Sequence, residues 1–218
     1  HSFRVGTEYG IYTAELAHTN GVATTHAHGL TSDSGRFMTL LKITNTTGSW
    51  WMQHPELTAS TYNINFDFYA SETATSYVLT DATNVVIQSA LPTGTYRVIV
   101  FAEMPGWRDF GIFTGNASTD GPVSNTGGSP KWQVRKWRNG GESWHVKDTV
   151  RVGCNVDNYE YQIDYTVAEG AAQPFDFLSN GTKERNTVGG INGSGRPIIT
   201  WTEQTPFGGE GVSQGRAK

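Results

Sequence analysis

The chain has a single cysteine, Cys154, in 218 residues. One thiol excludes an internal disulfide and any cysteine cluster around zinc. Secreted eukaryotic chains of this size usually carry disulfides, so the composition points to a bacterial, viral or cytoplasmically assembled origin. Charge is scarce too: Asp, Glu, Lys and Arg make up 17% of residues and the net charge is -4. That balance argues against nucleic acid as a partner, since little basic surface is available to displace counterions from phosphates. No apolar run approaches the ~18 residues a membrane helix needs, so no membrane insertion is expected. Capped helical periodicity is missing beyond a turn or two. P-loop, dinucleotide-binding and EF-hand patterns do not occur, and no cofactor is expected. The start at His1-Ser2-Phe3 shows no signal peptide and reads as a processed terminus, a fragment start or a tag remnant.

What the chain does have is glycine (26) and aromatics: 7 Trp, 9 Tyr and 10 Phe. Aromatic and Thr-rich strands divided by Gly, Asn and Ser turns produce this balance. The clearest local signal is Thr61–Ala70, where Tyr62, Ile64, Phe66 and Phe68 alternate with Asn63, Asn65 and Asp67. The pattern returns at Tyr159–Val167, with Tyr159, Tyr161, Ile163, Tyr165 and Val167 on one side. Period-2 alternation of this length predicts half-buried antiparallel strands. Further strands are predicted at Tyr9–Ala17, Phe37–Ile43, Asn84–Gln88, Thr95–Glu103, Asp109–Thr114, Lys131–Trp137, Thr149–Val152 and Pro197–Trp201, with Tyr96, Val98 and Val100 sharing one face. Dipeptides such as Asn20-Gly21, Pro105-Gly106 and Asn180-Gly181 supply the turns between them.

The reading is an all-β chain: an antiparallel β-sandwich, jelly-roll-like, as one large or two small β modules. Residues 1–114 form the expected N-terminal β module and 131–204 the C-terminal one. Residues 115–130 (GNASTDGPVSNTGGSP) carry little to bury and read as a long loop or linker, and 205–218 as a polar tail.

Several constellations could carry chemistry. His26 and His28, with His18 upstream and Asp33 as a further ligand, make the best metal candidate, because residues i and i+2 of a strand share a face. A free His1 could hold copper with His54 or His145. Gly211-Val-Ser-Gln-Gly215 matches a nucleophile elbow, yet only three residues follow it, so no acid or histidine comes after. Glu160 and Asp164 would share the polar face of the Tyr159–Val167 strand, as paired glycosidase carboxylates do. His145, Tyr161 and Arg135 could serve a polysaccharide lyase as proton-abstraction set and uronate neutraliser. The strongest hint lies in the aromatics of the turns. Trp107, Arg108, Trp137, Arg138 and Trp144 are residue types that stack on sugars or anchor interfaces; Trp132 and Arg135 lie among them. The sequons at Asn45, Asn116, Asn180 and Asn192 are expected by chance where Asn, Ser and Thr are common.

The segment Asn139-Gly-Gly-Glu-Ser-Trp-His-Val-Lys-Asp-Thr-Val-Arg-Val152, followed by an aromatic alternating strand, resembles β-rich modules of marine phage tail fibres and related virion proteins. Arg108-Asp-Phe-Gly-Ile-Phe-Thr-Gly115 is similar to the same modules, while Lys147 stands where a glycine is common. The resemblance implies a trimeric or otherwise repeated virion β protein, attached to other virion proteins or to a host polysaccharide, with no catalytic residue. The expected location is the virion or extracellular space. The alternatives are a secreted carbohydrate-binding module and a jelly-roll lyase.

Overall fold

The computed structural model describes residues 5–149, 157–166 and 170–205. The chain is all-β, built of antiparallel sheets in sandwich-like modules. It divides into two compact units, His1–Met104 and Pro105–Lys218.

Unit 1 holds β1 (Ile11–His18), β2 (Thr24–Ala27), β3 (Phe37–Ile43), β4 (Trp50–Gln53), β5 (Ile64–Asn65), β6 (Val78–Thr80), β7 (Asn84–Ile87) and β8 (Gly94–Ala102). One sheet has the order β1-β8-β3-β4-β5 and the other β2-β7-β6, with every pairing antiparallel. Strand β8 sits between β1 and β3 because its β-branched residues suit a strand paired on both edges. Its alternation turns Tyr96, Val98 and Val100 inward, as the sequence predicts, and they are nearly inaccessible. They pack with Leu41 and Phe37 of β3 and with Val78, Val85 and Ile87 of the smaller sheet. The core of unit 1 is thus a hydrocarbon layer between two sheets.

The Thr61–Ala70 alternation predicts a strand over Tyr62–Tyr69, but the strand is only Ile64–Asn65. Asn63, expected on a solvated face, is fully buried. Its Nδ2 donates to the Val78 carbonyl (3.2 Å), and its Oδ1 accepts from the Val78 N–H (3.1 Å) and the Tyr77 N–H. Its backbone exchanges both hydrogen bonds with Thr73. A side chain that replaces backbone partners ends regular pairing, and Phe68 and Tyr69 emerge beyond it as an exposed, mutually packed pair.

Unit 2 holds β9 (Arg108–Thr114), β10 (Val123–Asn125), β11 (Ser129–Trp137), β12 (His145–Asp148), β13 (Asp157–Gln162), β14 (Gly170–Leu178), β15 (Gly181–Glu184) and β16 (Pro197–Thr205), with one helical turn, α1 (Gly189–Asn192). They form one antiparallel sheet of order β10-β15-β14-β13-β12-β11-β16-β9. The sheet folds over on itself: Arg135 of β11 packs its guanidinium on Phe175 of β14 and pairs with Glu184 of β15.

Composition suggests a break at 115–130, whereas the units divide at Met104/Pro105, where Gly106 (φ 79°) turns the chain toward β9. Within 115–130, β10 pairs with β15, and Asn192 takes the place of a hydrophobic anchor. Asn192 is fully buried; its Oδ1 accepts from the Asn116 N–H (3.0 Å) and its Nδ2 donates to the Ser118 carbonyl (2.9 Å). Backbone-directed hydrogen bonds hold this polar segment where apolar burial cannot.

Candidate functional site

Strands β9, β16, β11 and β12 lie side by side, so their register sorts the candidate residues onto two faces. Directly opposed residues share a face. On one face Arg135 opposes Thr200 and His145, while Gln133 opposes Thr202 and Lys147. On the other, Val134 opposes Trp201 and Val146, and Trp201 opposes Phe110.

The first face is polar, yet it is as buried as the second, where Val134, Val146, Trp201 and Phe110 are also nearly inaccessible. Gln133, Arg135, Lys147, Thr200, Thr202 and Glu184 are all buried. Arg135 forms an ion pair with Glu184 and donates to Gln133 Oε1 (2.5 Å); Gln133 Nε2 donates to Thr202 Oγ1 (2.9 Å). Asn186 Nδ2 donates to the second oxygen of Glu184 (3.1 Å). The Phe175 ring lies between two cations, with Arg135 at 4.2 Å and Lys147 Nζ at 4.6 Å from its centroid. Mutual hydrogen bonding satisfies most of these buried polar groups, while Arg135 Nε has no hydrogen-bond partner among the described residues.

This register separates the proposed lyase set. Arg135 and His145 share the polar face, but Tyr161 opposes Val146 and therefore leaves the opposite face of the sheet. Arg135 is committed to Glu184. The predicted Tyr159–Val167 strand stops short of the second carboxylate: β13 ends at Gln162 and Asp164 lies in the following turn, accepting from the Trp144 N–H (3.0 Å).

The five aromatic and arginine candidates fall at two ends of the sheet. Arg108 opposes Glu203 at one end, and at the other Trp137 opposes Ile198, which in turn opposes Phe113, five residues or roughly 17 Å along the strand. At the first end Trp107 is 44% exposed, in the turn entering β9. Arg108 beside it is buried and grips Glu203 twice, Nε to Oε1 (2.5 Å) and Nη2 to Oε2 (3.3 Å). Trp201 Nε1 also donates to Glu203 (2.8 Å), and Trp132 meets Trp201 edge to face at 4.9 Å. Burial raises the Glu203 carboxyl pKa, with the Arg108 charge and these hydrogen bonds opposing.

At the second end Trp137 is not a free platform. The Arg196 guanidinium covers it at 3.7 Å, and Gly140 packs so closely that a Cβ there would come 1.9 Å from its ring. Arg138 remains partly exposed, donating to Asn139 Oδ1 (3.0 Å). Trp144 is 1% exposed, so it is core rather than a contact residue. Beneath it Lys136, also buried, donates to the Glu142 carbonyl and lies 5.7 Å from the Trp144 ring. Desolvation lowers the Lys136 pKa to about 8, with Asp164 and Glu142 opposing.

The histidines do not converge. His28 is buried with both ring nitrogens engaged, Nε2 at 3.1 Å from the Asp81 carbonyl and Nδ1 accepting from the Leu30 N–H (3.0 Å). His18 is buried between Thr24 Oγ1 and the Leu91 carbonyl, whereas His26 and Asp33 are exposed. Among the described residues, no group of three His, Cys, Asp or Glu could hold a metal. His1 and Gly211–Gly215 lie outside the described residues, as does the Glu160 side chain.

Sequence reasoning passed over Trp201, Glu203, Glu184 and Arg196. The run Thr200-Trp201-Thr202-Glu203 has a usable period-2 signal. Glu184 has none, because its partner lies 49 residues away.

Among the described residues no helix is long and apolar enough to cross a membrane. No curated protein and no solved structure matches the chain. Residues 9–204 match the family described as "Domain of unknown function (DUF7483)", and the chain belongs to that family.

Proposed function

We propose that this protein is a structural and adhesive β-sandwich component of a virion or filament, working through surface contacts rather than catalysis. The observation that carries the reading is Trp107. It stands exposed at the end of β9, next to a braced cluster of Arg108, Glu203, Trp201 and Trp132. An exposed aromatic adjoining a pre-ordered cluster offers a large contact area at low ordering cost, which suits a partner subunit or a sugar ring. The candidate catalytic side chains support the same reading, since Arg135 is spent on an internal ion pair and Tyr161 projects from the other face.

Size-exclusion chromatography with light scattering tests it. The expected result is a trimer or larger assembly that Trp107→Ala weakens without loss of fold. A monomer at high concentration that also fails to bind any polysaccharide overturns the proposal. Ultraviolet-absorbing unsaturated product from uronate polymers would overturn it in favour of a lyase.

A further inference from the structure

We propose that the open end of the unit 1 sandwich binds one neutral pyranose ring of a glycan. A cleft of about 170 Å³ lies between the β3–β4 connection, residues 44–49, and the Leu91-Pro92 turn before β8. That volume is on the scale of the ~150 Å³ that accommodates a single six-membered ring. None of its lining residues carries a charge, and the adjacent Lys42 is engaged with the Gly48 carbonyl, so an ionic ligand gains little there.

The walls are apolar: Ile43, Leu91, Tyr96 and Trp51. The indole of Trp51 is held in place by Tyr77, which stacks on it at 4.0 Å. The Tyr96 hydroxyl is already spent on the Pro92 carbonyl (2.9 Å). The remaining polar groups of the lining are different. The hydroxyls of Thr46, Thr47 and Ser49 make no hydrogen bond to any described residue. An aromatic wall with unspent hydroxyls beside it matches a pyranose, which has an apolar C–H face and a girdle of hydroxyls. A hydrocarbon would leave the hydroxyls unused.

The connection carrying those hydroxyls is braced before any ligand arrives. Lys42 Nζ donates to the Gly48 carbonyl, and Asn45 Oδ1 accepts from the Thr95 N–H (3.1 Å). Gly48 lies so close to Ile43 that a Cβ would come 2.5 Å from its Cγ2. Such bracing lowers the ordering cost of binding. The assignment rests on the adhesive reading for its ligand class, although the cleft itself is independent of assembly.

The test is a titration of the ¹⁵N-labelled full chain with the methyl glycosides of glucose, galactose and mannose, and with p-cresol as an uncharged aromatic probe. The expected result is saturable movement of the Trp51 indole N–H and the Thr46–Ser49 amides by at least one glycoside, with a millimolar Kd. Thr46→Val with Thr47→Val, at exposed positions where folding is not at stake, weakens binding at least about fivefold, the scale of lost hydrogen bonds. Trp51→Phe retains part of the affinity. The proposal is overturned by no saturable shift with any glycoside, by shifts indifferent to the two valines, or by p-cresol binding this cleft more tightly than every glycoside. Sugar binding by a monomer would refute the assembly and leave the cleft assignment standing.

Discussion

The two units bury different mixtures: the main cluster of unit 1 is hydrocarbon, whereas unit 2 buries an ion-paired, hydrogen-bonded network beside its apolar residues. Unit 1 closes two sheets over Leu41, Val98, Val100, Ile87 and their neighbours. Unit 2 folds one sheet over Arg135, Glu184, Gln133, Thr202 and Lys147. The first interior is held by displaced water and by volume, and tolerates approximate shapes. The second adds to its apolar burial a network of hydrogen bonds and an ion pair, whose members offset much of one another's desolvation cost. Unit 1 should therefore answer to size, and unit 2 to pairing and pH.

The largest effect is expected in unit 2. Arg135→Ala leaves Glu184 buried without its cation and should cost about 4 kcal/mol. Replacing both, Arg135→Met with Glu184→Leu, should recover most of that loss, because matched apolar groups carry no desolvation penalty. Urea unfolding of the full chain followed by tryptophan fluorescence reads this well, since Trp107, Trp132, Trp137, Trp144 and Trp201 all belong to unit 2. A loss below about 1 kcal/mol for Arg135→Ala would erase the distinction between the units.

Titration of Lys136 comes next. Its folded pKa is about 8, below its ordinary 10.5. Below pH 8 it is charged in both states and the folded chain carries the whole burial penalty. Between pH 8 and 10.5 the unfolded state binds more protons, so stability rises with pH, by about 3 kcal/mol in all. Lys136→Met should abolish that rise and be the more stable protein at pH 7. Subtracting the two proteins' denaturation midpoints across pH isolates this contribution from the tyrosines.

In unit 1, Leu41→Ala should cost about 3 kcal/mol through lost burial and a residual cavity, with no change in pH dependence. A pH-dependent loss there would contradict the hydrocarbon character of that core. Smallest is Asn63→Ala, at about 2 kcal/mol, from stranding the backbone groups of Tyr77 and Val78. Hydrogen exchange should then rise at those two amides while the β1–β8–β3 ladders stay protected.

Much of the fold was legible locally. The Phe37–Ile43 strand is observed with the bounds its composition suggests, and β8 differs only at its ends. Thr61–Ala70 had the strictest alternation of all and became a two-residue strand, because Asn63 is drawn inward to hydrogen-bond Val78, 15 residues on. The short strands β2, β4, β6, β10 and β15 left too little pattern to be seen, and β14 was passed over. The candidate site was less legible still. Exposure at Trp107 was readable from its turn, yet Trp144 has the same residue type near a similar turn and is core.

The sequence alone determined that this is an all-β chain of antiparallel strands and glycine turns, because side-chain alternation is a property of the local backbone. It also determined, through its one cysteine, that no disulfide forms within this chain. Only the tertiary structure decided which polar residues became interior. Arg135 and Lys147 look like surface residues until Glu184 and Phe175 arrive from distant strands and Asn186 from the segment after β15. A buried charge is stable only with its partner in place, and the partner is supplied by the fold.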